Sequence, residues 1–166
     1  MPHVHLVIGP VGAGKSTFVR QFCRERVAVP LTLDEWMAGL FRPDRPEADL
    51  VKWYAERAER CVDQIWRVAG AVLATGVDVI LEIGLIQRQP RRAFCDRVLA
   101  SGADLVVHWI DAPRSIRRER VAQRNRDRGE TFSADVPPSI FELASDLWEP
   151  PQPDECEEYG IAPPAL

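Results

Sequence analysis

Gly9-Pro10-Val11-Gly12-Ala13-Gly14-Lys15-Ser16 matches G-x-x-x-x-G-K-[ST], a pattern that requires a β-strand before it and a helix after it. Such a loop curls around an anion with its backbone N–H groups facing inward, so glycines are expected where side chains would block the approach. The helix that begins near Gly14 adds its positive end. On this reading Gly12, Ala13, Gly14, Lys15, Ser16 and Thr17 bind a nucleoside triphosphate. Lys15 reaches the β and γ phosphates, the Ser16 hydroxyl completes the coordination of Mg²⁺, and Thr17 assists at the α-phosphate. No guanine-specifying N-K-x-D motif is present, which favours ATP.

The surrounding pattern supplies both flanks. Residues 5–8 form an apolar strand that runs into Gly9, and residues 15–26 place Phe18, Val19, Phe22 and Cys23 on one helical face. A second strand is expected at 27–33, at an irregular or edge position because of Pro30, with Asp34 following as it ends. Leu50, Tyr54, Ala58, Cys61, Ile65, Ala69 and Leu73 recur every three or four residues and predict a long helix over 47–74. A third strand at 77–83, a helix at 90–100, a fourth strand at 105–110 and helices at about 114–125 and 138–147 complete the alternation. The expected fold is therefore α/β, a parallel sheet with helices on both faces and ligands at the carboxyl ends of the strands, where Gly9, Asp34, Glu82 and Asp111 stand.

A chain of 166 residues suits one domain that buries about 70% of its unfolded surface. No apolar run approaches the length of a membrane span and the N-terminus lacks the pattern of a signal peptide, so a cytoplasmic protein with no membrane partner is expected. Cys23, Cys61, Cys95 and Cys156 are scattered without metal or disulfide spacing and read as reduced packing residues. The net charge of −4 argues against a footprint on long nucleic acid, whose binding depends on neutralising phosphates. The domain is expected to span residues 1–153, followed by an acidic, proline-containing tail at 154–166. Residues 149–158 hold Glu149, Asp154, Glu155, Glu157 and Glu158 with no basic residue among them, which reads as a solvated terminus.

A triphosphate site serves switches, motors and kinases alike, so the remaining charged residues must choose among them. Asp34 would neighbour the phosphate-loop strand if the usual doubly wound order holds. Its carboxylate could then deprotonate an acceptor hydroxyl; the alternative is an N-cap for a short helix at 35–40. Glu82, at the end of the third strand, holds a magnesium-bound water or the acceptor, or is merely solvated. Arg114, Arg117, Arg118, Arg120, Arg124, Arg126 and Arg128 crowd one segment. Arg120, Arg124 and Arg128 repeat every four residues and can share a face, either as a lid that neutralises charge on a transferred phosphoryl group or as a solvated basic face.

Taken together, the sequence resembles small P-loop kinases grouped around the kinase domain of phage polynucleotide kinase, the zeta-toxin phosphotransferases and related bacterial ATP-binding proteins. The resemblance is carried by residues 9–17, Leu31-Thr32-Leu33-Asp34-Glu35-Trp36, Val79-Ile80-Leu81-Glu82 with Arg91-Arg92 downstream, Arg124-Asn125-Arg126-Asp127-Arg128-Gly129 and Trp148-Glu149-Pro150-Pro151. It implies a P-loop NTPase fold of four or five parallel strands, Asp34 as general base, catalytic roles for Lys15, Arg124 and Arg128, and an arginine-rich lid. At Met37 the chain departs from the polynucleotide kinases, which carry an arginine there for the acceptor's phosphate.

The leading expectation is transfer of the γ-phosphoryl group of ATP to a small hydroxylated acceptor, with Trp53, Tyr54 and Trp66 as one wall of its pocket or else as core. Phosphorylation of a polynucleotide 5′-hydroxyl and a slowly hydrolysing nucleotide-dependent switch are the competing readings.

Overall fold

The protein is described from a computed structural model covering residues 1–129 and 132–164. Four strands form one parallel sheet: β1 (His3–Ile8), β2 (Ala28–Thr32), β3 (Asp78–Glu82) and β4 (Asp104–Trp109), in the order β2-β3-β1-β4. Four strands thus meet the lower of the two numbers expected. Pro30, which has no N–H to give to a ladder, lies on the edge strand β2, as its chemistry requires.

The strand order corrects one expectation. β2 is separated from the phosphate-loop strand by β3, so Glu82 rather than Asp34 ends the strand beside β1. Thr32 pairs in register with Glu82, which brings the start of the next helix to the same edge of the sheet.

Seven α-helices connect and flank these strands among the described residues: α1 (Lys15–Glu25), α2 (Leu33–Leu40), α3 (Leu50–Leu73), α4 (Arg88–Ala100), α5 (Arg114–Asp127), α6 (Pro138–Asp146) and α7 (Pro153–Tyr159). On one sheet face Val4, Leu6, Ile8, Val79 and Leu81 meet the Cys61, Ile65 and Ala69 stripe of α3 and the Phe94, Cys95 and Val98 stripe of α4. Each fully buried aliphatic side chain of this kind contributes about 1.5–3 kcal/mol. On the other face Val7 and Ile80 pack under Val19 and Phe22 of α1. The alternation of β1 between these faces follows from the two-residue period of a strand. No helix among the described residues is long and apolar enough to cross a membrane.

The C-terminal segment overturns the expectation of a solvated tail. Tyr159 and Ile161 join the main core, and Glu155 is fully buried. Glu155 accepts two hydrogen bonds from the equally buried Arg91, from Nε at 2.9 Å and Nη2 at 3.0 Å, while Arg91 Nη1 donates to the Glu149 carbonyl at 2.9 Å. The acidic run is therefore matched by arginines of α4: Arg92 pairs with Asp154 and Glu158, and Arg88 with Asp154. Ala165 and Leu166 of the expected tail lie outside the described residues.

Candidate active site

The phosphate loop joins β1 to α1 as its motif demands, but two of its glycines answer to protein neighbours. Gly9 has φ +149, and a Cβ there would stand 1.9 Å from the Ile110 carbonyl oxygen. Gly12 has φ +77, and a Cβ would meet the Arg117 carbonyl oxygen at 2.8 Å and Val121 Cγ2 at 2.9 Å. These two glycines therefore let β4 and α5 approach the loop. Gly14 caps α1 at φ +105 and has only Arg120 Nη1 within 4 Å of a built Cβ, at 3.9 Å, so its side is left clear for an anion.

Three of the expected residues converge. Ser16 Oγ donates to Glu82 Oε1 at 3.1 Å. Glu82 is 8% exposed, and its Oε2 is buried without a hydrogen-bond partner among the described residues. Burial pushes the Glu82 carboxyl above its ordinary range and Asp34 adds to this, against the opposing pull of Lys15 and the Ser16 hydrogen bond. Lys15 Nζ donates to the Pro10 carbonyl at 3.0 Å. Burial lowers the pKa of its ammonium, while the carboxylates of Glu82 and Asp34 act in the other direction. An oxygen-only pair of hydroxyl and carboxylate, with one carboxylate oxygen still available, suits a hard divalent cation such as Mg²⁺.

Asp34 lies in the first turn of α2, exposed, one residue past Leu33, and the N-cap position is held by Thr32. The N-cap reading of Asp34 therefore fails: the helix starts two residues earlier than the expected 35–40. Ser16, Thr32, Asp34, Glu35 and Glu82 line one cavity of about 350 Å³ with Arg20 and Arg24 of α1. The expected aromatic wall is not part of that lining. Trp66 packs edge-on to Phe94 with ring centroids 5.6 Å apart, and Trp53 lies against the core. Tyr54, 44% exposed, is within electrostatic reach of Asp34; partial burial and then that charge raise its hydroxyl pKa.

The arginine segment divides by function in the packing. Arg120 Nη1 donates to the Ala13 carbonyl at 3.3 Å, at the loop itself. Arg124 is half-buried, acts on Lys15 electrostatically, and has an Nε buried without a hydrogen-bond partner among the described residues. Arg128 does not continue the helical face. It forms the left-handed C-cap of α5 at φ +46 and pairs with Asp135 at 3.1 Å.

Arg117, which sequence reasoning did not single out, is 5% exposed. It donates to the carbonyls of Val11 and Ala112 and to Ser145 Oγ, binding α5 and α6 to the phosphate loop. Its only signal in the sequence was membership of the arginine run. The pair Arg91-Arg92 and the segment Trp148-Glu149 are brought together away from the phosphate loop, in the clasp around Glu155.

Over residues 4–151 the sequence matches the family described as an AAA domain. The chain belongs to the AAA-domain family. Its kinase-like P-loop fold is shared with several solved structures. One is a chain of the Pnkp1/Rnl/Hen1 RNA repair complex, 24% identical with a TM-score of 0.63, in which 88% of the AAA-domain chain matches 43% of the other. The AAA-domain chain thus spans less than half of that protein. A sugar kinase from Janibacter sp. HTCC2649 is 17% identical, with a TM-score of 0.58 and coverage of 93% and 82% of the two chains. A gluconokinase from Sinorhizobium meliloti 1021 is 20% identical, with a TM-score of 0.54 and coverage of 92% and 78%. At these identities the likeness is one of fold. No curated protein gives a significant match.

Proposed function

We propose that this AAA-domain protein is an ATP-dependent kinase that moves the γ-phosphoryl group to a hydroxyl of a small molecule. The observation that carries the proposal is the cavity on which Asp34 opens beside Ser16 and Glu82. It sets a free carboxylate within one small space of the residues that would hold the triphosphate and its ion. At about 350 Å³ the cavity suits a small acceptor better than an oligonucleotide. Met37, where the polynucleotide kinases carry arginine, is 6% exposed and packs in the core, so it offers nothing to an acceptor's phosphate.

In the proposed reaction the loop N–H groups and Lys15 bind the β and γ phosphates, with Lys15 exchanging the Pro10 carbonyl for phosphate oxygen. Thr17 and Arg120 hold the nucleotide at the loop's outer side. Ser16, and Glu82 through water, would hold Mg²⁺, which when bound offsets phosphate charge. Asp34 takes the proton of the acceptor hydroxyl as that oxygen forms its bond to the γ-phosphorus. The bond from phosphorus to the bridging oxygen breaks, and ADP leaves with the electron pair. Arg124, with Arg128 at the end of the same helix, supplies positive charge to the transferring group.

The test is transfer of labelled γ-phosphate to a panel of sugars, nucleosides, antibiotics and other hydroxylated metabolites, with 5′-hydroxyl oligonucleotides in a separate arm. Labelling of a small acceptor is expected, and Lys15→Ala should abolish it. Label appearing only on oligonucleotides would favour the polynucleotide reading. ATP hydrolysis with no labelled acceptor would favour the switch. We further propose a cytoplasmic location and one domain that runs beyond the expected boundary at 153 to take in α7 and Ile161.

A further inference from the structure

His3, His5 and His108 are all the histidines in the chain; His3 and His5 meet Asp78 at the end of the sheet opposite the phosphate loop, and His108 stands against His5. His3 and His5 are two residues apart on β1, so their side chains project from one face. Asp78 begins β3 beside them. One Asp78 oxygen accepts the His3 backbone N–H at 2.8 Å and stands 3.7 Å from His3 Nδ1. The other stands 3.4 Å from His5 Nε2, and one ligand atom from each of the three residues lies within 4.8 Å of the others.

His5 is 4% exposed, and its buried Nε2 makes no well-formed hydrogen bond among the described residues, the Asp78 carboxylate oxygen standing 3.4 Å from it. A buried polar atom so weakly satisfied is costly to keep, and a bound ion would satisfy both it and the carboxylate. We propose that His3 Nδ1, His5 Nε2 and a carboxylate oxygen of Asp78 bind one divalent transition-metal ion of the zinc class, with water in a fourth position.

Atoms held about 2.0–2.2 Å from a central ion stand about 3.3–3.6 Å apart along the edges of a tetrahedron. The 3.4 and 3.7 Å separations run to different oxygens of Asp78; with one ligand atom per residue the three lie within 4.8 Å of one another, so the side chains would draw in by up to about an ångström to hold the ion. Two imidazoles and one carboxylate favour zinc over Mg²⁺ or Ca²⁺, which take oxygen ligands.

The far nitrogen of His5 completes the case. His5 Nδ1 lies 3.0 Å from His108 Nε2. For His5 Nε2 to present its lone pair, Nδ1 must carry the proton and donate it to His108, the outer hydrogen bond that orients a metal-bound imidazole. His108 stacks on His5, and Phe22 lies against His5 with ring centroids 4.5 Å apart. These rings wall the inner side, while the more exposed His3 side leaves a path for the ion. The ion would tie the first residues of β1 and β3 together without touching the nucleotide site.

The experiment is a titration of chelator-treated protein with Zn²⁺ against a chromogenic chelator, paired with thermal unfolding with and without Zn²⁺. Parent protein is expected to bind one ion and to unfold at a higher temperature with it, because the ion binds the folded state. His3→Ala and Asp78→Asn should each weaken binding about tenfold or more and lose the rise in unfolding temperature. His3 lies at the surface, so its variant should keep the fold, which circular dichroism checks. No stoichiometric binding by the parent would overturn the site. So would parent-like affinity in either variant, which would assign the ion to cysteines or other adventitious groups.

Discussion

Half-buried Lys15 and Ser16 and buried Glu82 form a polar set in which charge is held at a cost, and Asp34 faces the cavity lined by Ser16 and Glu82 from an exposed helical turn. The difference in setting separates two tasks: Glu82, desolvated and fixed by Ser16, suits ion binding, while Asp34 suits exchange of a proton with an incoming acceptor. Asp34→Asn keeps shape and hydrogen-bonding reach but cannot take the proton. Single-turnover transfer to an identified acceptor should therefore fall by roughly 10²- to 10⁴-fold, with ATP affinity nearly unchanged by calorimetry. Equal transfer rates would remove Asp34 from the chemistry. The motif made Lys15 and Ser16 legible in the sequence, because their roles depend on neighbours within a few residues. Glu82 was legible only as a strand-end carboxylate, since its contact with Ser16 spans 66 positions.

α5 carries support and, under the proposed function, chemistry. Arg117 faces inward and holds the loop, Arg120 donates to the loop carbonyl of Ala13, Arg124 lies within electrostatic reach of Lys15, and Arg114 and Arg118 grip Glu142 of α6. Arg124→Ala should lower kcat about 10²-fold with a smaller change in nucleotide Kd, because a donor aimed at developing charge acts mainly in the transition state. Arg128→Ala should change kcat less than about tenfold, since its guanidinium is exposed and already paired with Asp135. Steady-state kinetics beside calorimetry would separate the two, and equal losses would restore the repeating face expected from sequence.

The α5–α6 contact also has a pH signature. The hydrogen bond from Arg118, with help from Arg114, holds the Glu142 carboxyl down to about 2 from an ordinary 4.5. A depressed carboxylate pKa stabilises the fold above the unfolded value and loses that contribution as pH falls through the folded one. Glu142→Gln should thus unfold at a lower temperature than the parent at pH 7, with the gap closing between about pH 4.5 and about pH 2. A gap that stays constant with pH would show that the pair contributes through packing alone.

At the scale of the whole molecule, the C-terminal segment closes the domain through a buried ion pair. Arg91 and Glu155 are both 0% exposed, and leaving either charge alone in that position costs about 3–5 kcal/mol. Arg91→Ala should therefore lower the unfolding free energy by about that amount in denaturant melts, while replacement of both residues by apolar ones of similar volume should cost less. A loss in Arg91→Ala of only a few tenths would mean that α7 adds little. By itself the sequence determined the phosphate loop and the alternation of strands and helices, and narrowed β2 to an irregular or edge position, since each follows from local geometry: a glycine turn, a period of two or near 3.6, a proline without an N–H. Only the tertiary structure decided that β3 lies between β1 and β2, that Glu82 meets Ser16, that one arginine of the run is a buried strut, and that an acidic terminus belongs to the core. Strand order and charge pairing depend on which distant segments meet, and an acidic run reads as solvated until the arginines that neutralise it are found 62 to 66 positions away.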